Sequence, residues 1–513
     1  MQFAKIETPR RSRSARGRAI FISALLGCTS IAGGAVGQTY DLAILHGRVM
    51  DPESGLDGLR NVAVSQGKIV RVTRRPIRGR SVIDASGLVV APGFIDLHAH
   101  DHSPLTHRLH AQDGVTTALE LENGAFPVRA WYASRVGVSA INFGVSASHG
   151  VIRAIALTGL DERRVTGDLE ADIKLLEGKA DWQNPPSDAA ERLRMIDLVG
   201  KELDDGAVGV GYHLATTPGA DTAELSALFA AAAQRSAPNF IHIRSVGQVT
   251  PSTAAREVIA IAKSTGASVH IVHVNSSGLW DTADILTQVK EAQRTSLDVT
   301  TEAYPYTGAM TALDDPRSGA EGMATYRSSF HDLELVATGE RLTAETYEAA
   351  KRRDPHGALI AHVMTLDNVD LALENPLVMA ASDGEAYHDG KGHPRGAGTF
   401  SRIFSRYVRE KQTVPLMQAI AKVSLMPARR LEAYVPDMKL RGRIQKGAIA
   451  DITIFDADKI ADRATYENPT APSAGIAYVL VAGRAVVDRY RFQDDVKPGV
   501  PIYGAGLKAP AKR

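Results

Sequence analysis

Between about residues 90 and 435, short apolar runs alternate with longer stretches whose apolar positions recur at helical spacing. The runs "VVAPGFIDLHAH", "TTALELE", "INFGVSASH", "GAVGVGYH", "NFIHIR", "SVHIVHV", "VTTEAYPY" and "LVMAASDG" read as strands. Eight strand–helix alternations imply parallel strands and, at this length, a closed barrel with insertions. A different texture flanks them. "YDLAILHGRVMD" and "LRNVAVSQGKIVRV" near the start, with "ADITIFDA" and "VLVAGRAVVD" near the end, are β-branched runs punctuated by glycine, the pattern of antiparallel strands. The expected architecture is α/β: a (β/α)8 TIM barrel over residues 91–435, with a small β-sandwich domain formed from both termini, 38–90 and 436–513. The stretch from about 307 to 355 is polar, long and irregular, and is expected to be an insertion over one barrel end.

One run breaks the apolar pattern. In "TTALELENG", Leu119 and Leu121 alternate with Glu120 and Glu122. Strand neighbours face opposite ways, and the outside of a barrel packs on apolar helices, so the glutamates are expected inward and the leucines outward. An inward carboxylate needs a cation. His98, His100, Glu122, His149, His213, His242, His273, Tyr304 and Asp383 all fall at the C-terminal ends of predicted strands, the rim that carries the active site in such barrels. Imidazole and carboxylate are ligands for zinc and similar divalent ions, and His98-Ala99-His100 puts two rings on one side of a strand.

Composition narrows the class. The chain has 513 residues, 44% hydrophobic and 23% charged, which suits a soluble globular protein of one large domain and a satellite. Its net charge of +1 includes six basic residues against one acid before Gln38, so the remainder is slightly acidic and offers no basic face for nucleic acid. Residues 1–37 read as an export signal: a basic stretch, an apolar run from Ala19 to Ile31 too short to span a bilayer, then small residues. Either that segment is removed near Gln38 or it stays as an anchor. A third course is lipidation at Cys28, whose "LLGC" setting resembles a bacterial lipoprotein box. Each route leads to a periplasmic protein. Cys28 is the single cysteine, so thiol nucleophiles, disulfides and Cys-ligated metals are excluded from the folded part.

With "GFIDLHAHD", "GVTT", "SHGVIR", "GAVGVGYHLATTPG", "HIRSVG", "HIVHVNSSG", "EAYPYTG", "SDGEAYHDGKGHPRGAGTFSRIFSRYVRE", "MPARRL" and "GRIQKGAIADITIFD", the chain resembles the amidohydrolase superfamily, and within it the N-acyl-D-amino-acid deacylases (D-aminoacylases), from about Tyr40 to Pro501. The resemblance implies one or two divalent ions, zinc by preference. It places His98, His100 and Asp383 around one position and His242 and His273 around the other. Asp383 stands where that family has its proton carrier, and Tyr304 and Arg395 where it meets the substrate carboxylate; His149 and His213 are candidate pocket residues. Two departures are visible. Asn123 stands where the family has a metal-binding cysteine, and Asn275 where it has a lysine. Glu122 is the expected replacement for the cysteine, with Glu120 hydrogen-bonded behind it; a strand bulge would present Glu120 or Asn123 instead.

The implied reaction is hydrolysis of a C–N amide bond by metal-activated hydroxide, with an N-acyl amino acid, of D configuration in the family, as small-molecule substrate. Two alternatives stay open: a dipeptidase or cyclic-amide hydrolase on the same metal centre, and an inactive binding lipoprotein.

Overall fold

The computed structural model describes residues 38–508 apart from 168–170, 173–174, 176–178 and 245–248. The expected export segment with Cys28, and part of "HIRSVG", lie outside the described residues. Eight parallel strands pair in chain order: β1 (Phe94–Asp96), β2 (Val115–Ala125), β3 (Asn142–Ser148), β4 (Val210–His213), β5 (Asn239–His242), β6 (Val269–Ile271), β7 (Val299–Ala303) and β8 (Val378–Ala380). The last strand meets the first through the rim, where the N–H of Asp383 donates to the carbonyl of His98 at 2.8 Å and that of His100 to Gly384 at 2.8 Å. This is the barrel that the alternating runs predict.

Helices between the strands begin where the sequence supplies caps. Ser103 precedes Pro104, Thr250 precedes Pro251, and Asp188 and Glu191 form a reciprocal box, each satisfying a backbone N–H that the first turn leaves unpaired. Val145, Val210, Tyr212, Ile241 and Ile271 pack outward on helical residues such as Val151, Leu198, Leu225 and Val258. Phe240, Val272 and Met379, on the opposite face, fill the barrel with Leu431 and Met438.

Strand β2 corrects one expectation. Leu119 and Leu121 belong with Phe240, Val272 and Met379 inside the barrel, not with the helix-facing residues. Alternation holds through Leu119 and Glu120, which pair with Gly144 and Val145, so it is the choice of face that was wrong. Beyond Glu120 β2 leaves its ladder with β3, five steps passing two before Ala125, and this bulge carries Glu122 to the histidines. The N–H groups of Asn123 and Gly124 donate to Glu120 Oε1 at 3.0 and 3.3 Å and close the bulge. The displaced backbone crosses in front of β4. A Cβ on Gly211 would meet the carbonyl oxygens of Glu122 and Leu121 at 2.3 and 2.5 Å, so only glycine fits there.

Strands from both chain ends join one nine-stranded sheet. Val89–Pro92 is its seam, parallel to Thr39–Asp51 and antiparallel to Ile452–Phe455. The insertion is not irregular. Strands Ala309–Ala312, Leu333–Leu335, Glu340–Arg341 and Ala358–Ala361 form a separate antiparallel sheet, covered by helix Ala344–Arg353. Leu313, Met323, Leu335, Leu342, Tyr347 and Leu359 give it a core of its own. Strands of two to four residues show no readable period, which is why the sequence pattern conceals them. Among the described residues no helix is long and apolar enough to cross a membrane.

Candidate metal centre

The rim gathers two overlapping clusters of ligand atoms, each with all atoms within 4.8 Å of one another: His98, His100, Glu122 and Asp383, and Glu122, His213 and His242. Glu122 belongs to both. Its Oε2 lies 2.6 Å from His98 Nε2 and 3.2 Å from His100 Nε2; its Oε1 lies 2.6 Å from His242 Nδ1, 3.4 Å from His273 Nε2 and 3.8 Å from His213 Nε2. Asp383 Oδ1 is 3.1 Å from His100 Nε2.

Each ring is oriented from behind. His98 Nδ1 meets Glu302 at 2.7 Å, His100 Nδ1 meets Glu120 at 2.7 Å, and His273 Nδ1 meets Ser277 at 2.8 Å, which leaves each Nε2 for the centre. Glu302 in turn faces His270. Asp96 accepts from the backbone N–H groups of His98 and Ser382, so one buried carboxylate sets the backbone before both His98 and Asp383. His273 and Asp383 adopt left-handed backbone, φ 30° and 55°, a strained state that surrounding structure must impose.

The electrostatics fit a cation. Burial raises the Glu122 carboxyl, but the imidazoles around it, His98 first, outweigh it and hold it well below the ordinary range. Burial likewise raises Asp383, and Arg395 and His98 bring it far down. His242 is pushed well below the usual imidazole value by burial and by His213, and burial takes His213 to about 4, so both are neutral and able to ligate. Burial lowers His98 and His100 too, yet Asp383 and Glu122 beside the first, and Glu120 and Glu385 beside the second, hold their protons on. Protons trapped on imidazoles by buried carboxylates are what a dication replaces on binding. The donor set, imidazoles with a carboxylate shared between two clusters, therefore suits one or two divalent ions.

The remaining predicted residues are placed as follows. His213 lies within a ligand cluster instead of simply lining the pocket, stacked on His242 at 4.1 Å, and His273 stands just outside that cluster. Arg395 is buried, ion-paired to Asp383 Oδ2 at 2.6 Å, with its guanidinium over the Tyr304 ring at 4.8 Å. His149 is not a pocket residue. It is fully buried and bonded to Glu224 at 2.8 Å, beside Arg153, because it opens the helix packed outside β3. His102, His107 and His110 are buried as well, with His102 and His107 3.1 Å apart. Asn275 turns away to donate to the Tyr304 carbonyl at 3.0 Å.

Sequence reasoning missed Arg317. The insertion delivers it to the rim, where Nη1 donates to His242 Nε2 at 3.1 Å while Asp315 holds the guanidinium at 2.6 Å. Nothing in "DDPRSG" separates this arginine from one on any surface turn. Two spaces adjoin the clusters. One is walled by His242, His273, Arg317, Asp383 and Arg395, the other by His100, Glu120 and Glu385.

Against known proteins, a family model described as "Amidohydrolase family" matches residues 81–163 and 170–487. The chain is 31% identical over 492 residues to an N-acyl-D-glutamate deacylase of Alcaligenes xylosoxydans xylosoxydans, covering 88% of this chain and 94% of that one. It is 26% identical over 496 residues to a D-aminoacylase of the same organism, covering 89% and 96%. Among solved structures it resembles N-acyl-D-glutamate deacylase from Bordetella bronchiseptica, complexed with zinc and a phosphonate inhibitor, with TM-score 0.75, 28% identity and coverage of 91% and 100%.

Proposed function

Because this chain belongs to the amidohydrolase family, in which it is a metal-dependent hydrolase of C–N amide bonds, we propose that its substrates are N-acyl D-amino acids, those with an acidic side chain foremost. The observation that carries the acidic preference is Arg317. It is a part-buried guanidinium fixed by Asp315, bonded to His242 and lining the pocket that Asp383 and Arg395 also line. Arginine, with its planar fork of donors, is the side chain suited to a carboxylate. The similarity to an N-acyl-D-glutamate deacylase supports the same substrate.

His98, His100, Glu122, Asp383, His213 and His242 would hold the ions, zinc in this reading, with His273 beside them. Divalent ions held there would supply a water of lowered pKa and a Lewis acid for the scissile carbonyl. The chain's own residues do the rest. Asp383 uses Oδ1, which faces His100, to take the proton from water and return it to the leaving nitrogen, while Arg395 grips Oδ2 and keeps the group anionic between turnovers. Glu302 and Glu120 hold the rings of His98 and His100 in register. Arg317 draws the substrate carboxylate to the His242 side and so orients the amide.

The test is a kinetic panel of N-acetyl D- and L-amino acids on purified protein of measured metal content. N-acetyl-D-glutamate should head the panel, and Arg317→Met should raise its KM at least tenfold, the loss expected for one hydrogen bond to a charged group. Equal turnover of neutral and acidic substrates by both proteins would count against the reading. Export through residues 1–37 belongs to the same proposal; protein with an intact Met1 terminus recovered from the cytoplasm, read by mass spectrometry, would refute it.

A further inference from the structure

The two spaces beside the clusters differ in charge. Arg317 and Arg395 stand on one side, Glu120 and Glu385 on the other. An amide that reacts between them sends its amine side and its acyl side in opposite directions. With the amine-side carboxylate on Arg317, the acyl side faces Glu385.

Glu120 is fully engaged there, by His100 and two backbone N–H groups, but Glu385 is not. Its Oε1 lies 3.6 Å from Arg395 Nη2 and 4.0 Å from His100 Nε2, and among the described residues it makes no hydrogen bond. Arg395 is already committed to Asp383 at 2.6 Å. The side chain is 34% exposed, so it opens into the cleft. Its position is also fixed. Gly384, the residue before it, accepts from His100 N at 2.8 Å and is bridged to Ala99, which holds Glu385 against the ligand cluster. A carboxylate held this way, with no ion pair shorter than 3.6 Å among the described residues, has hydrogen-bonding capacity that a substrate can meet. An acetyl methyl would cover Glu385 and leave it unmet. An ammonium on the carbon next to the scissile carbonyl would give it a charge-assisted bond.

We infer that Glu385 receives the α-ammonium of an aminoacyl group, so that dipeptides whose C-terminal residue lies on the Arg317 side are preferred over simple N-acyl amino acids. The inference rests on the hydrolase reading above. Water adds across the peptide C–N bond: the carbonyl carbon keeps the hydroxyl, the leaving nitrogen gains the proton, and two free amino acids result.

The experiment compares glycyl-D-glutamate with N-propionyl-D-glutamate on the metal-loaded enzyme, since the two differ by an ammonium in place of a methyl. Wild type should favour the glycyl compound in kcat/KM. That preference should decline above about pH 8, as the substrate amine loses its proton. Glu385→Gln should lower the glycyl-to-propionyl ratio about 10- to 100-fold, the range for one hydrogen bond to a charged group, and Glu385→Asp should restore part of it. Metal content is measured alongside. A Glu385→Gln protein that loses metal and slows equally on both compounds would show a ligand instead and overturn the inference. So would a wild type that prefers the propionyl compound, although deacylase activity would then stand. Cleavage of neither compound, nor of any N-acyl amino acid, would overturn both.

Discussion

The N–H of Asp383 donates to the carbonyl of His98 at 2.8 Å, across 285 residues of chain. That bond joins β8 to β1 and locks Asp383 in left-handed backbone, φ 55°, with Oδ1 toward His100. The backbone at Asp383 is thus set by main-chain bonds, and Arg395 holds the carboxylate from Oδ2.

Asp383→Asn should therefore fold normally and lose turnover, because the amide keeps the shape and cannot carry a proton. A fall in kcat of about 10²–10⁴ is expected, with circular dichroism unchanged. An Asp383→Asn enzyme within a factor of ten of wild type would refute the proton-carrier role.

Glu122 faces five imidazoles with two oxygens. Glu122→Gln preserves size but removes the anion shared by both clusters, so metal per chain, measured by elemental analysis, should fall. The rise of Tm with added zinc, which reports binding to the native state, should shrink with it. Unaltered metal content would show that the histidines and Asp383 suffice.

Gly211→Ala tests the bulge. The new methyl would overlap the carbonyl oxygens of Leu121 and Glu122, at 2.5 and 2.3 Å from its carbon, and β2 must shift to admit it. Misplacement of Glu122 should weaken metal affinity and cut kcat/KM at least tenfold, since small displacements at a reacting centre are costly. A fully active Gly211→Ala protein would mean that the crossing of β2 is not needed.

How much of this was legible beforehand can be argued from particular residues. Eight apolar runs announced the barrel, because a buried parallel strand has little choice of composition. His98, His242 and Asp383 were legible because a rim position needs only a strand end to be located. Leu119 and Leu121 were assigned to the wrong face because Glu122 reaches the centre through a bulge beyond Glu120 and not by alternation along the regular ladder, and a bulge leaves no mark in composition. His149 and His213 looked alike in sequence, both at strand ends. One turned out beside Glu224 under a helix and the other beside His242, a difference made by neighbours far away in the chain. Arg317 was out of reach for the same reason.

His149 leads to a prediction remote from catalysis. Burial raises the Glu224 carboxyl, but His149 and Arg153 outweigh it and bring it to about 2, below the ordinary 4.5. A depressed folded pKa stabilises above the unfolded value and is lost as pH falls toward the folded one. The contribution, at most about 3 kcal/mol, is complete at pH 7 and wanes between about 4.5 and 2. Scanning calorimetry should find Glu224→Gln clearly less stable than wild type at pH 7, with the gap narrowing below pH 4.5 and closing only toward pH 2. A gap independent of pH would assign the loss to packing.

The insertion leaves and rejoins the barrel at one point. Ala309 pairs with Ala361, and Met364 N–H donates to the Thr307 carbonyl at 3.2 Å. A module with adjacent ends and its own core puts no tension on the strands it interrupts. Of the candidate site residues, it contributes Arg317 with its partner Asp315, and none of the ligands. Recognition of the amine-side carboxylate and bond cleavage are therefore carried on separable parts, and the first can be rewritten or transplanted while the second is left alone.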